Sequence, residues 1–213
     1  MALDLGHLGS GFASPVLASQ RVFRDALRAL SHPGTVVRLE SDAALPEGVH
    51  PAAFALALSL LDADTRLWAS PGVAGAGNSL RFHTGCALAR SHEEADFALL
   101  ASPLELPPLA SFSQGSDQYP DRSATLILQV ASLARASGAD RGWRLSGPGI
   151  RESGGSGESG DSGATVRLCA EGLGEDFLAQ WAHNGRAFPR GVDLFLASGS
   201  LLAALPRTTR VEA

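Results

Sequence analysis

Residues 188–212 read FPRGVDLFLASGSLLAALPRTTRVE, and this stretch predicts two antiparallel strands joined by a tight turn. Residues 192–198 and 201–205 are almost continuously apolar, which is typical of strands covered on both faces. Gly199 and Ser200 fit a two-residue type II′ turn, because that turn needs a positive φ at its first position. We expect the rest of the domain to be built around this buried hairpin.

Polar side chains follow the hairpin directly. A proline ends the second strand, and residues 207–210 read RTTR. Guanidinium and hydroxyl groups donate hydrogen bonds to phosphate and phosphonate oxygens, so Arg207 and Arg210 are candidates for an anion site. The alternative is that they pair with nearby carboxylates such as Asp193 or Glu212.

Helical and extended segments alternate through the first part of the chain. Helices are predicted from Pro15 and over residues 52–61, and strands over residues 35–40 and 65–69. This alternation is typical of a layered α/β domain. The first helix is predicted to pack on the core through one apolar face, opposite a charged face of Arg21, Arg24, Asp25 and Arg28; the apolar face consists of Val16, Phe23, Ala26, Leu27 and Leu30.

The longest apolar run in the middle of the chain lies within residues 123–133, which we expect to form a central strand. Trp68, on the strand over residues 65–69, is expected in the core. The remaining predicted elements are strands over residues 95–100 and 143–146, a short helix around residues 104–110, and a helix over residues 175–183 capped by Asn184-Gly185.

Composition limits the class of protein. The chain has 213 residues, of which 45% are apolar, enough for a single domain with a sizeable core. Its net charge of −5 and the lack of a basic cluster argue against a nucleic-acid partner. Because no apolar run reaches the length of a membrane span and the N-terminus lacks the features of a signal peptide, we expect a cytoplasmic protein.

All 17 basic residues are arginine, and the chain contains no lysine. It therefore cannot form a side-chain Schiff base with pyridoxal phosphate (PLP) or supply the lysine of a phosphate-binding P-loop. Two cysteines, Cys86 and Cys169, are too few for a disulfide framework or an iron–sulfur cluster, and we expect them to be buried thiols.

A second group of candidate anion ligands is Arg81, His83 and Thr84, which lie beside glycines. We predict that at least two of Arg81, His83, Arg207 and Arg210 meet around one anion pocket. The glycines just upstream are spaced G-x-x-G-x-G, which does not match the dinucleotide-binding fingerprint. His83 and Cys86 lack a second ligand pair at a recognisable spacing, so no metal site is expected. His32, in the turn that ends the first helix, is a secondary candidate, although it could simply suit the turn.

Two segments are expected to be poorly ordered. These are a loose N-terminus over residues 1–15 and a Gly/Ser-rich loop over residues 151–163, which has no apolar residue to anchor it. The loop contains GDSG, the nucleophile string of trypsin-like proteases. Because the sequence has no upstream counterpart of the histidine motif of those enzymes and no run of barrel strands, we reject that function.

The chain resembles the PhnH family, whose members are subunits of the bacterial carbon–phosphorus lyase core complex. The resemblance is carried by the hairpin stretch at residues 188–212 and by four shorter strings: FRDALRALSHPG (23–34), LRFHT (80–84), TLILQVASL (125–133) and RLSGPGI (144–150). Arg190 departs from the family, which has an apolar residue in the corresponding FPLG-like string, and so does the Gly/Ser-rich loop.

The resemblance implies a three-layer α/β/α sandwich with a mixed central sheet, similar to the large domain of PLP-dependent transferases but without that cofactor. It also implies a homodimer that assembles with the PhnG, PhnI and PhnJ subunits. Together these subunits would form ribose 1-alkylphosphonate 5-triphosphate by displacing adenine from ATP with an alkylphosphonate. A phosphonate or a nucleotide is the corresponding ligand for the candidate anion residues, and no cofactor is expected.

Two roles follow for such a subunit. It could contribute groups that the transferase reaction requires, or it could be a scaffold that only organises its partners. The sequence identifies no catalytic residue, because it contains neither a recognisable acid–base pair nor a nucleophile with an adjacent base. Both roles are carried forward.

Overall fold

The computed structural model describes residues 8–136, 142–150 and 165–213. Within these residues lie four α-helices: α1 (Pro15–Ser31), α2 (Pro51–Leu60), α3 (Ala74–Thr84) and α4 (Glu175–Arg186). Prolines open α1 and α2, where a missing backbone N–H costs no intrahelical hydrogen bond. No helix in this part of the chain combines the length and the hydropathy that a bilayer crossing requires.

The described residues form eleven strands in two sheets. In chain order the strands are β1 (Val37–Arg38), β2 (Arg66–Ala69), β3 (Ala87–Leu88), β4 (Phe97–Leu100), β5 (Thr125–Gln129), β6 (Leu133–Arg135), β7 (Trp143–Ser146), β8 (Thr165–Ala170), β9 (Asp193–Ser198), β10 (Leu201–Leu205) and β11 (Arg210–Glu212). The larger sheet has the order β1-β10-β9-β5-β4-β2-β3, and the smaller has the order β11-β7-β8-β6.

The larger sheet is mixed. Five neighbouring strands from β9 to β3 are parallel, and β10 and β1 extend the sheet with antiparallel pairing. Strand β5 occupies the middle of the seven positions and is buried over most of its length. The predicted central strand and the mixed α/β class are therefore confirmed.

Side chains alternate between the two faces of this sheet. Leu99, Ile127 and Phe195 point into a core shared with α1, α2 and α3, while their neighbours along the strands point into a second core. That second core lies against α4 and the smaller, wholly antiparallel sheet. One face of the central sheet is thus covered by helices, and the other by a helix together with a small sheet.

The predicted hairpin is present with nearly the expected bounds. Strands β9 and β10 pair from Leu201 with Ser198 to Leu205 with Leu194. Gly199 has a φ of 55°, the positive value that its place in the turn requires. The chain then continues into β11, which the sequence did not predict and which pairs with β7 in the smaller sheet.

The predicted buried face of α1 is confirmed for Ala26 and Leu30, which pack on the core, and is wrong for its other three residues. The side chains that reach the core are Ala18, Val22, Ala26 and Ala29. Val16, Phe23 and Leu27, which were expected to be buried, are exposed. The helix therefore contacts the core through a row of small residues, which is rotated about the helix axis from the row of large ones.

Other boundaries also need correction. Helix α4 continues through Asn184 to Arg186, and the Asn184 side chain bonds both backbone groups of Val192 at 2.8 and 3.0 Å instead of capping the helix. Residues 104–110 form parts of two short 3₁₀ turns, and residues 123–133 divide between β5 and β6.

Cys86 is buried and Cys169 is half-buried, and both are free thiols.

Residues 8–15, which were expected to belong to a loose N-terminus, are packed on the protein, and residues 1–7 lie outside the described residues. From Leu8, which is buried, the segment packs on α3, where the Ser79 hydroxyl donates to the Leu8 carbonyl at 2.7 Å. Phe12 is also buried. The Gly/Ser-rich stretch at residues 151–163 lies outside the described residues.

Gly149 provides a test of how the end of α1 packs. Its φ is +80°, and a Cβ at this position would lie 2.1 Å from the carbonyl oxygen of Ser31. We expect Gly149→Ala to lower the free energy of unfolding by roughly 2–4 kcal/mol, because a strained φ and a backbone clash act together. Denaturant unfolding monitored by circular dichroism measures this change.

The matched control is Gly75→Ala in α3, where the added Cβ meets nothing within 4 Å. There we expect a neutral or slightly stabilising change of up to about 0.5 kcal/mol. Equal stabilities of the two variants would contradict the close packing of Gly149 on α1.

Candidate functional site

Arg207 lies where the hairpin returns to the start of β9. Because β10 runs antiparallel to β9, the residues that follow β10 are placed beside Asp193, the first residue of β9. The Arg207 backbone N–H donates to Asp193 Oδ1 at 2.8 Å, and Nη2 donates to Oδ2 at 2.6 Å. Nε donates to Oδ1 at 3.2 Å, which completes a bidentate pair.

The remaining donors of Arg207 are also occupied. Nη1 donates to the carbonyls of Pro120 and Pro189 at 3.0 and 3.1 Å, and Nη2 donates to Ser123 Oγ at 2.5 Å. A guanidinium has five N–H donors, and all five find partners within the protein. Since the Arg207 side chain is only 12% exposed, the structure favours the pairing with Asp193 that the sequence left open.

The other anion candidate of the hairpin stretch lies on β11, in the smaller sheet. Arg210 is exposed on β11, opposite Ser146. Thr209, between Arg207 and Arg210, is buried, and its hydroxyl has no hydrogen-bond partner among the residues that the structure describes. Its backbone carbonyl accepts a hydrogen bond from Trp181 Nε1 at 2.9 Å.

The second predicted group lies at the end of α3. Arg81 is exposed in its last turn, and His83 Nε2 lies 3.2 Å from the Gly9 carbonyl oxygen. The Thr84 hydroxyl donates to the Leu80 carbonyl at 2.8 Å. His32, the secondary candidate, follows α1, and its Nδ1 lies 2.9 Å from Ser31 Oγ.

Arg207 and the end of α3 both lie at the amino edge of the parallel strands, but at different positions along it. Helix α3 returns the chain to the start of β3, whereas Arg207 is beside the start of β9. These strands are four positions apart in the sheet, which corresponds to roughly 19 Å. That two of these residues share one anion pocket stays a prediction.

A polar cleft that the sequence did not predict opens between these groups. Its volume is about 490 Å³, which is within the usual range for ligand sites. It is formed where β2, β4 and β5 begin and where a 3₁₀ turn, Pro120–Arg122, precedes β5. Its lining residues are Thr65, Arg66, Asp96, Phe97, Ser113, Asp121, Arg122, Ser123 and Thr125.

The charges in this cleft are largely balanced. Arg66 makes a bidentate pair with Asp96, with Nε–Oδ2 at 3.1 Å and Nη2–Oδ1 at 3.2 Å. The hydrogen bond with Asp96 raises the pKa of Arg66 above its ordinary value. Arg122 lies over the ring of Tyr119, with its guanidinium carbon 4.3 Å from the ring centroid. The cleft therefore offers both hydrogen-bond donors and hydrogen-bond acceptors, without a strong excess of positive charge.

The opposite, carboxyl edge of the sheet holds a buried polar cluster. The Ser70 hydroxyl donates to the Glu105 carboxylate and accepts from the Ala101 N–H at 3.0 Å. The same carboxylate accepts the Gly72 N–H at 3.0 Å, ahead of α3. This is the switch point between β2 and β4, where open α/β sheets commonly bind ligands, but here the polar groups satisfy one another.

His50 and Gln129 form a similar link at this edge. Gln129, at the end of β5, is buried, and its Oε1 accepts the His50 N–H at 2.5 Å. Its Nε2 donates to the Gly48 carbonyl at 2.9 Å.

Across the described residues, no group of three histidine, cysteine, aspartate or glutamate side chains is placed to hold a metal ion.

Comparison with known proteins gives one consistent result. A family model described as "Bacterial phosphonate metabolism protein (PhnH)" matches residues 10–212. A Rhizobium meliloti protein named "Alpha-D-ribose 1-methylphosphonate 5-triphosphate synthase subunit PhnH" is 35% identical over 205 residues, covering 94% of each chain. A Stutzerimonas stutzeri protein named "Putative C-P lyase subunit protein HtxG" is 31% identical over 195 residues, covering 91% of this chain and 85% of its own.

The role of Arg207 is tested by its removal. We expect Arg207→Ala to lower the free energy of unfolding by roughly 2–4 kcal/mol, because it leaves a partly buried carboxylate unpaired and frees two backbone carbonyls. The matched control is Arg190→Ala, which removes a surface pair with Asp117 at 3.3 Å in which the arginine is 51% exposed. There we expect a loss below about 0.5 kcal/mol. If both variants unfold at the same denaturant concentration as the unmodified protein, the Arg207 side chain does not stabilise the fold.

Proposed function

Because this chain belongs to the PhnH family, we propose that it is a subunit of the carbon–phosphorus lyase system and acts in the catabolism of organic phosphonates. The observation that carries this proposal is the family match, which extends over residues 10–212. Both named relatives are described as subunits, one of a ribose 1-methylphosphonate 5-triphosphate synthase and one of a C–P lyase.

In the finer form of the proposal, the chain is required with partner subunits to form ribose 1-alkylphosphonate 5-triphosphate from ATP and an alkylphosphonate. The name of the Rhizobium relative supports this reaction. PhnG, PhnI and PhnJ are the proposed partners, the chain itself is proposed to be a homodimer, and the assembly is placed in the cytoplasm. We also propose that the fold is a three-layer sandwich related to the large domain of PLP-dependent transferases.

The second candidate role is a scaffold that carries no catalytic group. The scaffold role is supported by the polar side chains whose hydrogen bonds are made within the protein. Arg207 donates all its hydrogen bonds within the protein, and Ser70 and Glu105 satisfy each other. The candidates that keep a catalytic contribution open are Arg81, His83, Thr84 and Arg210, together with the polar cleft.

Reconstitution distinguishes a required subunit from a dispensable one. The companion subunits are purified with and without this chain and supplied with ATP and methylphosphonate, and the release of adenine is measured. We expect release only when the chain is present, and none from the chain alone. Full release without the chain would contradict the proposal.

The catalytic and scaffold roles separate in the same assay. Arg81→Ala and Arg210→Ala are introduced singly, and assembly is monitored by size-exclusion chromatography. Loss of adenine release from a fully assembled complex supports a contribution to the reaction. Unchanged release supports the scaffold role, because neither candidate then acts on a substrate.

A further inference from the structure

Helix α1 carries two separate apolar rows. The row that faces the core is made of Ala18, Val22, Ala26 and Ala29, whose small side chains allow close packing. The second row consists of Val16, Phe23 and Leu27, which are 71%, 53% and 54% exposed. Spacings of seven and four residues place these three side chains on one face of the helix. We call this second row the outer stripe.

The outer stripe borders a mostly apolar groove, whose lining also includes Thr125 and Asp193, the residue that pairs with Arg207. Phe23, Leu27 and Leu30 form one wall, and the other walls come from Leu60 at the end of α2 and from the starts of β4, β5 and β9. The groove has a volume of about 140 Å³, enough for one large apolar side chain. Phe23 and Leu27 belong to both the stripe and the groove, so this end of the stripe and the groove form one apolar surface, of the kind that marks an interaction site. The exposed Gln20 lies between Val16 and this surface.

A row of positive charge runs along one side of the stripe. Arg21, Arg24 and Arg28 are all exposed and are spaced three and four residues apart. Asp25 is the one acidic residue of the helix. This local excess contrasts with the net charge of −5 for the whole chain. A complementary surface would carry apolar residues beside carboxylates.

We propose that the outer stripe and its groove form the docking surface for an acidic amphipathic helix of a companion subunit. One apolar side chain of that helix fills the groove, and its carboxylates pair with the arginine row. Helix-in-groove recognition uses this arrangement of apolar anchors at helical spacing. The inference rests on the proposed role of the chain as a subunit and adds the surface and the chemistry of the contact.

A second copy of the chain matches this surface less well. If two α1 helices packed antiparallel about a two-fold axis, the arginine row of each copy would face the same row of its partner. Like charges opposed in this way disfavour association. An acidic segment of another subunit meets the same apolar stripe without that repulsion.

The test measures binding to the purified companion subunits by biolayer interferometry. We expect the double variant Phe23→Arg/Leu27→Arg to bind roughly tenfold or more weakly, because it places two charges in the apolar contact. Its fold should persist, since both side chains are more than half exposed. The matched control is Leu104→Arg, at a leucine that is 95% exposed on a 3₁₀ turn away from α1, and it should bind within about twofold of the unmodified chain.

Charge reversal tests the acidic character of the partner. Arg24→Glu/Arg28→Glu should weaken binding at low salt by roughly tenfold, and the loss should shrink at high salt, where surface charges are screened. A photo-reactive benzoylphenylalanine placed at position 23 then identifies the contact. We expect a cross-link to a peptide of a companion subunit that contains apolar residues and at least two carboxylates.

The outcomes separate this inference from the proposed function. If the unmodified chain binds the companions, and both the stripe variant Phe23→Arg/Leu27→Arg and the arginine-row variant Arg24→Glu/Arg28→Glu bind equally well, the docking surface is wrong while the subunit role stands. A cross-link to a second copy of the chain, with dissociation of a dimer in the stripe variants, also overturns the inference. If the unmodified chain binds none of the purified companions, the subunit role fails and the docking surface fails with it.

Discussion

The pairing of Arg207 with Asp193 is the interaction on which the arrangement of the two sheets depends. The short segment between β10 and β11 leaves the larger sheet and enters the smaller one. Arg207 fixes the start of this segment to β9, and Trp181 on α4 holds its end through the Thr209 carbonyl. The second core, between the larger sheet, α4 and the smaller sheet, is closed by this crossing.

Many polar side chains bond to other groups within the protein, and this bears on its function. Several arginines and carboxylates pair with groups within the chain: Glu105 accepts from Ser70 at the carboxyl edge, and Arg66 pairs with Asp96 at the amino edge. Within the described residues, the outer stripe of α1 is an exposed apolar surface. A protein built in this way is suited to work within an assembly, which agrees with the description of its relatives as subunits.

The sequence predicted those elements that one continuous pattern specifies. The hairpin strands and β5 are almost continuous apolar runs, and Gly199 marks the hairpin turn. The face of α1 was mispredicted because hydrophobicity ranks Phe23 and Leu27 above alanine, whereas contact with the alanine-rich α2 favours small side chains. Sequence alone does not show how closely two helices approach.

The site was harder to predict than the fold for a related reason. The polar cleft is assembled from the starts of three strands and from loops between them, so no contiguous motif marks it. Asp193 was recognised as a carboxylate that Arg207 could pair with, but the choice between that pair and an anion depended on the carbonyls of Pro120 and Pro189. Those contacts arise only once the chain has folded.

In our proposal, α1 packs on the core through its small residues, and its large exposed residues contact a partner subunit. Hydrogen–deuterium exchange of the chain alone and in the assembled complex tests it most directly, because docking suppresses local opening of the helix that is covered. We expect slower exchange over residues 15–31 on assembly, with no change over residues 103–105. Unchanged exchange over residues 15–31, with protection appearing elsewhere on the chain, would contradict it.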